Sequence, residues 1–223
     1  MQERVATGSE ILDELLEGGY EKDAITTIYG PAGAGKTTMA LLAAIETAKR
    51  GKKTIFVDTE GGFSVTRLKQ LTENYKKAFN SIIFLNPTTF DQQHKSIDKI
   101  RKIVNSKIGL IVIDTISMLY RLERSIGADS SHEFNRKLGV EIEALTEIAR
   151  RKKIPVIVVN QVYTNFKDDK VSVVGGDIIR YGSKCLIEIQ ALHRNKRRVI
   201  IRKHRSIAGE QEAYFEIVRD GFV

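Results

Sequence analysis

Residues 30–37 read Gly-Pro-Ala-Gly-Ala-Gly-Lys-Thr, and no other stretch constrains the chain as strongly. The octapeptide fits G-x-x-x-x-G-K-[ST] at each fixed position. An apolar, β-prone run precedes it at 24–29, and a helix-forming run follows at 38–50. A strand feeding a glycine-rich turn into a helix N-terminus aims backbone N–H groups and the positive end of the helix dipole at one point. Gly30, Pro31, Ala32, Gly33, Ala34 and Gly35 form the expected phosphate cradle, and Thr38 follows in the first helical turn. Lys36 is expected to reach the β- and γ-phosphates and Thr37 to ligate Mg²⁺. A chance Lys-Thr after a glycine-rich turn would leave the flanking strand and helix unexplained. The expected cofactors are ATP and Mg²⁺.

The 223 residues suit one α/β domain, over residues 1–223, with a substantial core. No run of about 18 apolar residues occurs, so no membrane span is expected. Met1-Gln2-Glu3-Arg4 carries no apolar signal core, which makes a cytoplasmic location the default. The single cysteine, Cys185, lies in the apolar run Cys185-Leu186-Ile187 and is expected to be a small buried hydrophobe.

Apolar runs alternate with amphipathic ones, which argues for a parallel sheet covered on both faces. Strands are expected at 24–29, 54–58, 81–85, 109–114 and 155–160, and helices at 36–50, 65–78, 90–105 and 131–152. Leu110-Ile111-Val112-Ile113 reads as a strand buried on both sides. Ile97, Ile100, Ile103 and Val104 recur at the spacing of one helical face. Beyond residue 180, the runs 184–192, 197–203 and 212–219 read as antiparallel strands extending the sheet. Two helices end in basic clusters, Lys49-Arg50 and Arg150-Arg151-Lys152, which read as helix-dipole partners rather than nucleic-acid contacts.

The formal net charge is +8, and residues 194–205 hold seven Lys or Arg and no acid. Arg194, Lys196, Arg197, Arg198 and Arg202 are the candidate DNA surface, since such a field favours polyanions. A solvated hairpin surface remains the alternative.

A phosphate loop needs a second metal anchor, and Asp114 ends a buried strand where Mg²⁺ would sit beside Thr37. Hydrolysis needs a group that orients water. Glu60 follows the strand at 54–58 closely enough to face the γ-phosphate, although spacing alone leaves it open as a surface-loop acid. Gln161, just past Val156-Ile157-Val158-Val159, can donate to a phosphate oxygen and accept from water.

These residues carry a family resemblance. Thr7-Gly8-Ser9, Leu12-Asp13, Leu15-Leu16, Gly18-Gly19, the phosphate loop, Asp58-Thr59-Glu60-Gly61, Leu110-Ile111-Val112-Ile113-Asp114, Asn160-Gln161-Val162 and Gly175-Gly176 occur in the order of the RecA/RadA recombinase ATPase core. Nearly the whole chain resembles that core, most of all its short archaeal paralogues. The resemblance implies a RecA-like fold, a mostly parallel sheet flanked by helices with a C-terminal antiparallel extension. It implies Glu60 as water activator, Gln161 as γ-phosphate sensor and Arg67 as stacking partner for adenine; an ordinary exposed helix arginine is the alternative for Arg67. Lys203-His204-Arg205 resembles a Lys-x-Arg element of these paralogues and of KaiC-like proteins, which implies that Lys203 and Arg205 reach a neighbouring protomer's nucleotide.

Departures from the strand-exchange enzymes shape the rest. A helix-hairpin-helix domain is not expected before the core, and none of the nine Phe residues begins a Phe-x-x-Ala polymerisation plug. The stretch like the first DNA loop contains Glu123, Asp129 and Glu133. The second contains Lys167, Asp168, Asp169 and Lys170, with Tyr163 and Phe166 as base-stacking or packing rings. The expectation is a weak ATPase that binds DNA without sequence preference and assists recombination and repair beside a RadA-type recombinase, with at most weak homodimers and no strand exchange of its own. The alternative is a KaiC-like regulatory ATPase that binds no DNA.

Overall fold

The computed structural model describes residues 3–126, 131–165 and 170–223. Arg4–Val5 (β1), Glu10–Leu15 (α1) and Tyr20–Glu21 (β2) lead in, β1 pairing antiparallel with β2. The alternating part follows: Ile25–Gly30 (β3), Lys36–Lys49 (α2), Lys53–Asp58 (β4), Val65–Leu71 (α3), Tyr75–Asn80 (α4), Ile82–Leu85 (β5), Phe90–Ile103 (α5) and Ile108–Asp114 (β6). After Met118–Ile126 (α6) and Ser131–Lys152 (α7) come Val156–Asn165 (β7), Lys170–Val173 (β8) and Gly176–Gly182 (α8). Cys185–Ala191 (β9), Lys196–His204 (β10), Gln211–Val218 (β11) and Gly221–Phe222 (β12) close the chain.

The main sheet runs β12-β11-β10-β9-β3-β7-β6-β4-β5, with β8 paired to β7. From β5 through β9 every neighbour along this path is parallel. Alternation along each strand sends side chains to two buried faces. Ile111 and Ile113 join the core beneath α5 and α7, while Leu110 and Val112 join the core beneath α2. Ile97, Ile100 and Val104 of the α5 segment are buried, as their spacing predicts. Cys185 is buried too, and burial pushes its thiol up to about 12.

Two expectations are corrected. The helix expected over 65–78 is two helices, because Thr72 is extended (φ −159°) and its hydroxyl accepts from the Asn74 N–H at 3.2 Å. A side chain that satisfies the backbone locally competes with helix continuation. The run 184–192 is also not an antiparallel strand throughout its contacts: β9 is parallel to β3 and only its other edge meets β10 antiparallel. The antiparallel extension therefore begins at β10. Its tip, residues 192–195, is thereby returned to the edge where β3 ends.

Gly30 ends β3 against β9. A Cβ there would stand 2.3 Å from the Ile189 carbonyl oxygen. Gly30→Ala is expected to cost about 1–3 kcal/mol, as overpacking of a rigid backbone contact does. Thermal melting should show a lower midpoint, and an unchanged midpoint would mean that the two strands part freely.

Candidate nucleotide and nucleic-acid site

Register lines up the chemistry. Gly30 pairs with Gln161, Asp114 with Val159, and Asp58 with Asp114, so four adjacent parallel strands end side by side. This is the edge at which open parallel sheets hold ligands. A cavity of about 310 Å³ there is lined by Gly33, Lys36, Thr37, Glu60, Asp114 and Gln161, among others.

The phosphate loop caps α2 through Gly35, whose φ of 104° is left-handed and favours glycine. The Lys36 ammonium is buried and donates to the Gly30 and Pro31 carbonyls at 3.0 and 2.7 Å. Burial lowers its pKa, opposed by the Asp114 and Glu60 carboxylates. Thr37 Oγ1 donates to Asp114 Oδ2 at 2.7 Å. Burial pushes the Asp114 carboxyl up to about 6, with Glu60 and Asp58 adding to the rise and the Thr37 hydrogen bond opposing it. A hydroxyl and a carboxylate in contact, next to a buried ammonium at a helix N-terminus, form a donor set that fits a magnesium-bound triphosphate.

Glu60 lies at the mouth of the site, exposed. Its Oε1 accepts from Thr115 Oγ1 at 3.0 Å and from Gln161 Nε2 at 2.7 Å. Arg121 donates to Gln161 Oε1 at 3.3 Å. Fold and register thus bring the neighbours Lys36 and Thr37 together with Glu60, Asp114 and Gln161, which come from distant parts of the chain. Thr115 and Arg121 were not singled out from sequence. Thr115 directly follows Asp114 and was within reach of the motif; Arg121, on an amphipathic helix, had no local signal. Asp58 has a structural task, accepting from the Gly62 and Phe63 N–H groups at 3.1 and 3.0 Å.

Arg67 is half-buried, and its guanidinium donates to the Arg219 and Val218 carbonyls at 2.7 and 3.1 Å. The basic hairpin acquires acids that its own sequence lacks. Arg198 pairs with Glu212, Lys196 with Glu216 at 3.8 Å, and Arg202 with Glu188 at 2.6 Å and Glu210 at 2.8 Å. Arg197 donates to the Gly33 carbonyl at 3.2 Å, against the phosphate loop. Arg194 is exposed at the turn with a left-handed φ of 59°. At the opposite sheet edge, Lys203 donates to the Arg180 and Ser183 carbonyls at 2.7 and 2.8 Å, and Arg205 pairs with Glu21 at 2.6 Å and with Asp23. Asp129, Phe166, Lys167, Asp168 and Asp169 lie outside the described residues.

A model of the Rad51 family matches residues 2–223. The DNA repair and recombination protein RadB of Methanobrevibacter smithii is 38% identical over 228 residues, covering 99% of this chain and 95% of that protein. RadB of Methanococcoides burtonii is 37% identical over 222 residues, covering 99% and 98%. The chain belongs to the RadB group of the Rad51 family. A solved structure, described as the crystal structure of the RadB recombinase, matches with a TM-score of 0.83 and 33% identity over 98% of each chain. The α/β architecture above is therefore RecA-like, and the RadB group is one of DNA repair and recombination proteins. No helix among the described residues is long and apolar enough to cross a membrane.

Proposed function

We propose that this RadB-group chain binds ATP with Mg²⁺, hydrolyses it slowly at most, and binds DNA without sequence preference. It would assist homologous recombination and repair beside a RadA-type recombinase, without strand exchange of its own. One observation carries this reading: Gln161 bonds Glu60 at 2.7 Å while standing at the root of the β7–β8 hairpin, where the family resemblance puts a DNA loop. A γ-phosphate competing for the Gln161 amide would report nucleotide state directly to that hairpin, a switch of the order–disorder kind.

In this reading Thr37 and Asp114 hold Mg²⁺, which supplies charge neutralisation of the β- and γ-oxygens. Lys36 binds the same oxygens from the loop, and Glu60 orients water. Arg67 reaches the adenine face once it leaves the Val218 and Arg219 carbonyls. Calorimetry tests the pocket. Lys36→Ala removes a charge-assisted contact of about 1.5–3 kcal/mol, so ATP affinity is expected to fall about 10- to 150-fold. Equal affinity in the two chains would remove the basis for the whole proposal.

Lys203 and Arg205 are the proposed trans-acting cations. Both are engaged within their own protomer, so reaching a neighbour requires breaking those contacts. Cations supplied in trans are worth about 10³–10⁵ in rate in GTPases. Turnover per protomer is therefore expected to be slow and to rise with protein concentration as weak homodimers form. Fast, concentration-independent hydrolysis would contradict this.

A KaiC-like regulatory ATPase that binds no DNA is the second reading, and the ion pairs at Arg198 and Arg202 favour it. A salt titration of DNA binding separates the two. If Arg194, Lys196, Arg197, Arg198 and Arg202 each met a duplex phosphate, log K would fall with log salt at a slope of about −4 to −5.

A further inference from the structure

The sheet edge opposite the phosphate loop carries a concentration of positive charge. There the ends of α2 and α7 converge with Val5 of β1 and Lys22, just past β2, around a cavity of about 560 Å³. Lys22, Arg50, Lys52, Arg151, Lys152 and Lys153 line it, and no Asp or Glu does. Lys22 pairs with Glu3 at 2.6 Å and Arg151 with Glu147 at 2.8 Å. Arg50, Lys52 and Lys152 have no carboxylate partner among the described residues, and Lys153 meets a carboxylate only through the Coulombic pull of Asp23, which it shares with Arg205. The Lys52 ammonium is steered by the Ser106 carbonyl at 2.7 Å.

Two helix C-termini together present about one negative charge, half from each dipole. That accounts for about one of these four cations. The contrast with the C-terminal hairpin is direct. Of the seven cations between residues 194 and 205, Lys196, Arg198, Arg202 and Arg205 have carboxylate partners. The basic run that stands out in the sequence is largely neutralised by the fold. The two helix-end clusters, separated by about a hundred residues in the chain, are merged by it.

We infer that this cavity is a second nucleic-acid site, holding the sugar–phosphate backbone at the edge of the sheet away from the nucleotide. The inference rests on the DNA-binding reading above. Phosphate is the chemistry that several exposed ammonium and guanidinium groups recognise together. The lining contains no aromatic ring on which a base could stack, so a free nucleotide would have no hold for its base. Recognition is confined to the backbone and is independent of sequence.

The test uses the full chain and mixed-sequence duplex and single-stranded DNA, followed by fluorescence anisotropy across a salt series. Replacing Arg50, Lys52, Lys152 and Lys153 together with glutamine is expected to make the duplex salt slope shallower by about 2 to 4. Melting temperature and ATP binding should match the parent chain, and the Lys52→Arg chain should bind as the parent does. Amine labelling of the parent chain, read by mass spectrometry, gives an independent measure: DNA should protect Lys52, Lys152 and Lys153. Tripolyphosphate is the parallel arm, and protection by it without protection by DNA overturns the nucleic-acid assignment in favour of free phosphate. An unchanged slope and unchanged labelling, with binding lost instead in Arg194→Gln/Arg197→Gln, overturns this site and leaves DNA binding intact. Failure of the parent chain to bind any DNA removes both readings together.

Discussion

Glutamine in place of Glu60 is expected to lower ATP turnover about 10²- to 10⁴-fold, the usual contribution of a positioned general base. ATP affinity should stay near that of the parent. The amide oxygen of Gln can still accept from Thr115 and Gln161, which bond the present carboxylate at 3.0 and 2.7 Å. The side chain is exposed at the mouth of the site, so the substitution leaves the core undisturbed. What disappears is the negative charge that accepts a proton from water. Because basal turnover is expected to be slow, single-turnover hydrolysis of labelled ATP is the suitable measurement. A Glu60→Gln chain that hydrolyses ATP at the parental rate would return Glu60 to the surface-loop acid that its spacing alone allows.

The second large effect is on stability and lies away from the nucleotide. Glu141 is fully buried between α7 and α5, where Oε2 accepts from Gln93 Nε2 at 2.8 Å. Oε1 has no hydrogen-bond partner among the described residues, and His94 Nδ1 stands 3.6 Å from it. Burial pushes the carboxyl from 4.5 up to about 8; the Gln93 hydrogen bond opposes the rise and Asp98 adds to it. The folded chain therefore holds this proton more tightly than the unfolded chain does. Its stabilising contribution is complete below pH 4.5 and is lost progressively until the pH passes about 8. A shift of that size corresponds to roughly 5 kcal/mol at its limit, less whatever the site relaxes. Glu141→Gln removes the titration and keeps an acceptor for Gln93. The variant should gain on the parent by about 2–4 kcal/mol between pH 5 and pH 9. Urea unfolding at pH 5, 7 and 9 reads this difference directly. A difference that stays flat across those three values would show that Glu141 is ionised in the folded chain.

Gln93 ties this buried pair to the nucleotide edge, since its amide also donates to the Ile116 carbonyl at 3.1 Å, two residues from Asp114. Gln93 stands three residues after Phe90 and four before Ile97, on the buried face of α5, so only its polar side chain sets it apart from the core positions around it. Its burial follows from α7 lying across α5, a contact between segments about fifty residues apart.

Local chemistry was legible in the chain wherever backbone geometry and residue type act over a few neighbours. The phosphate loop could be placed because a strand, a glycine turn and a helix start are consecutive, and Gly35 does take the left-handed conformation that such a start needs. Buried strands such as Ile108–Asp114 could be read because parallel strands covered on both faces require unbroken apolar runs. Electrostatics behaved differently. Charge acts through space, and partners supplied by other strands are invisible along the chain. Residues 194–205 read as an uncompensated basic run, yet β11 and β9 bring Glu212, Glu216 and Glu188 to it. Lys49-Arg50 and Arg150-Arg151-Lys152 read as two separate helix endings, yet parallel crossovers bring the ends of α2 and α7 to one side of the sheet. Residue type and local spacing thus picked out residues that the fold gathers at one edge of the sheet, because they are neighbours or end adjacent strands. Which cations face water and which face carboxylates was settled by strand order and register, since those alone fix the distances over which charges are paired.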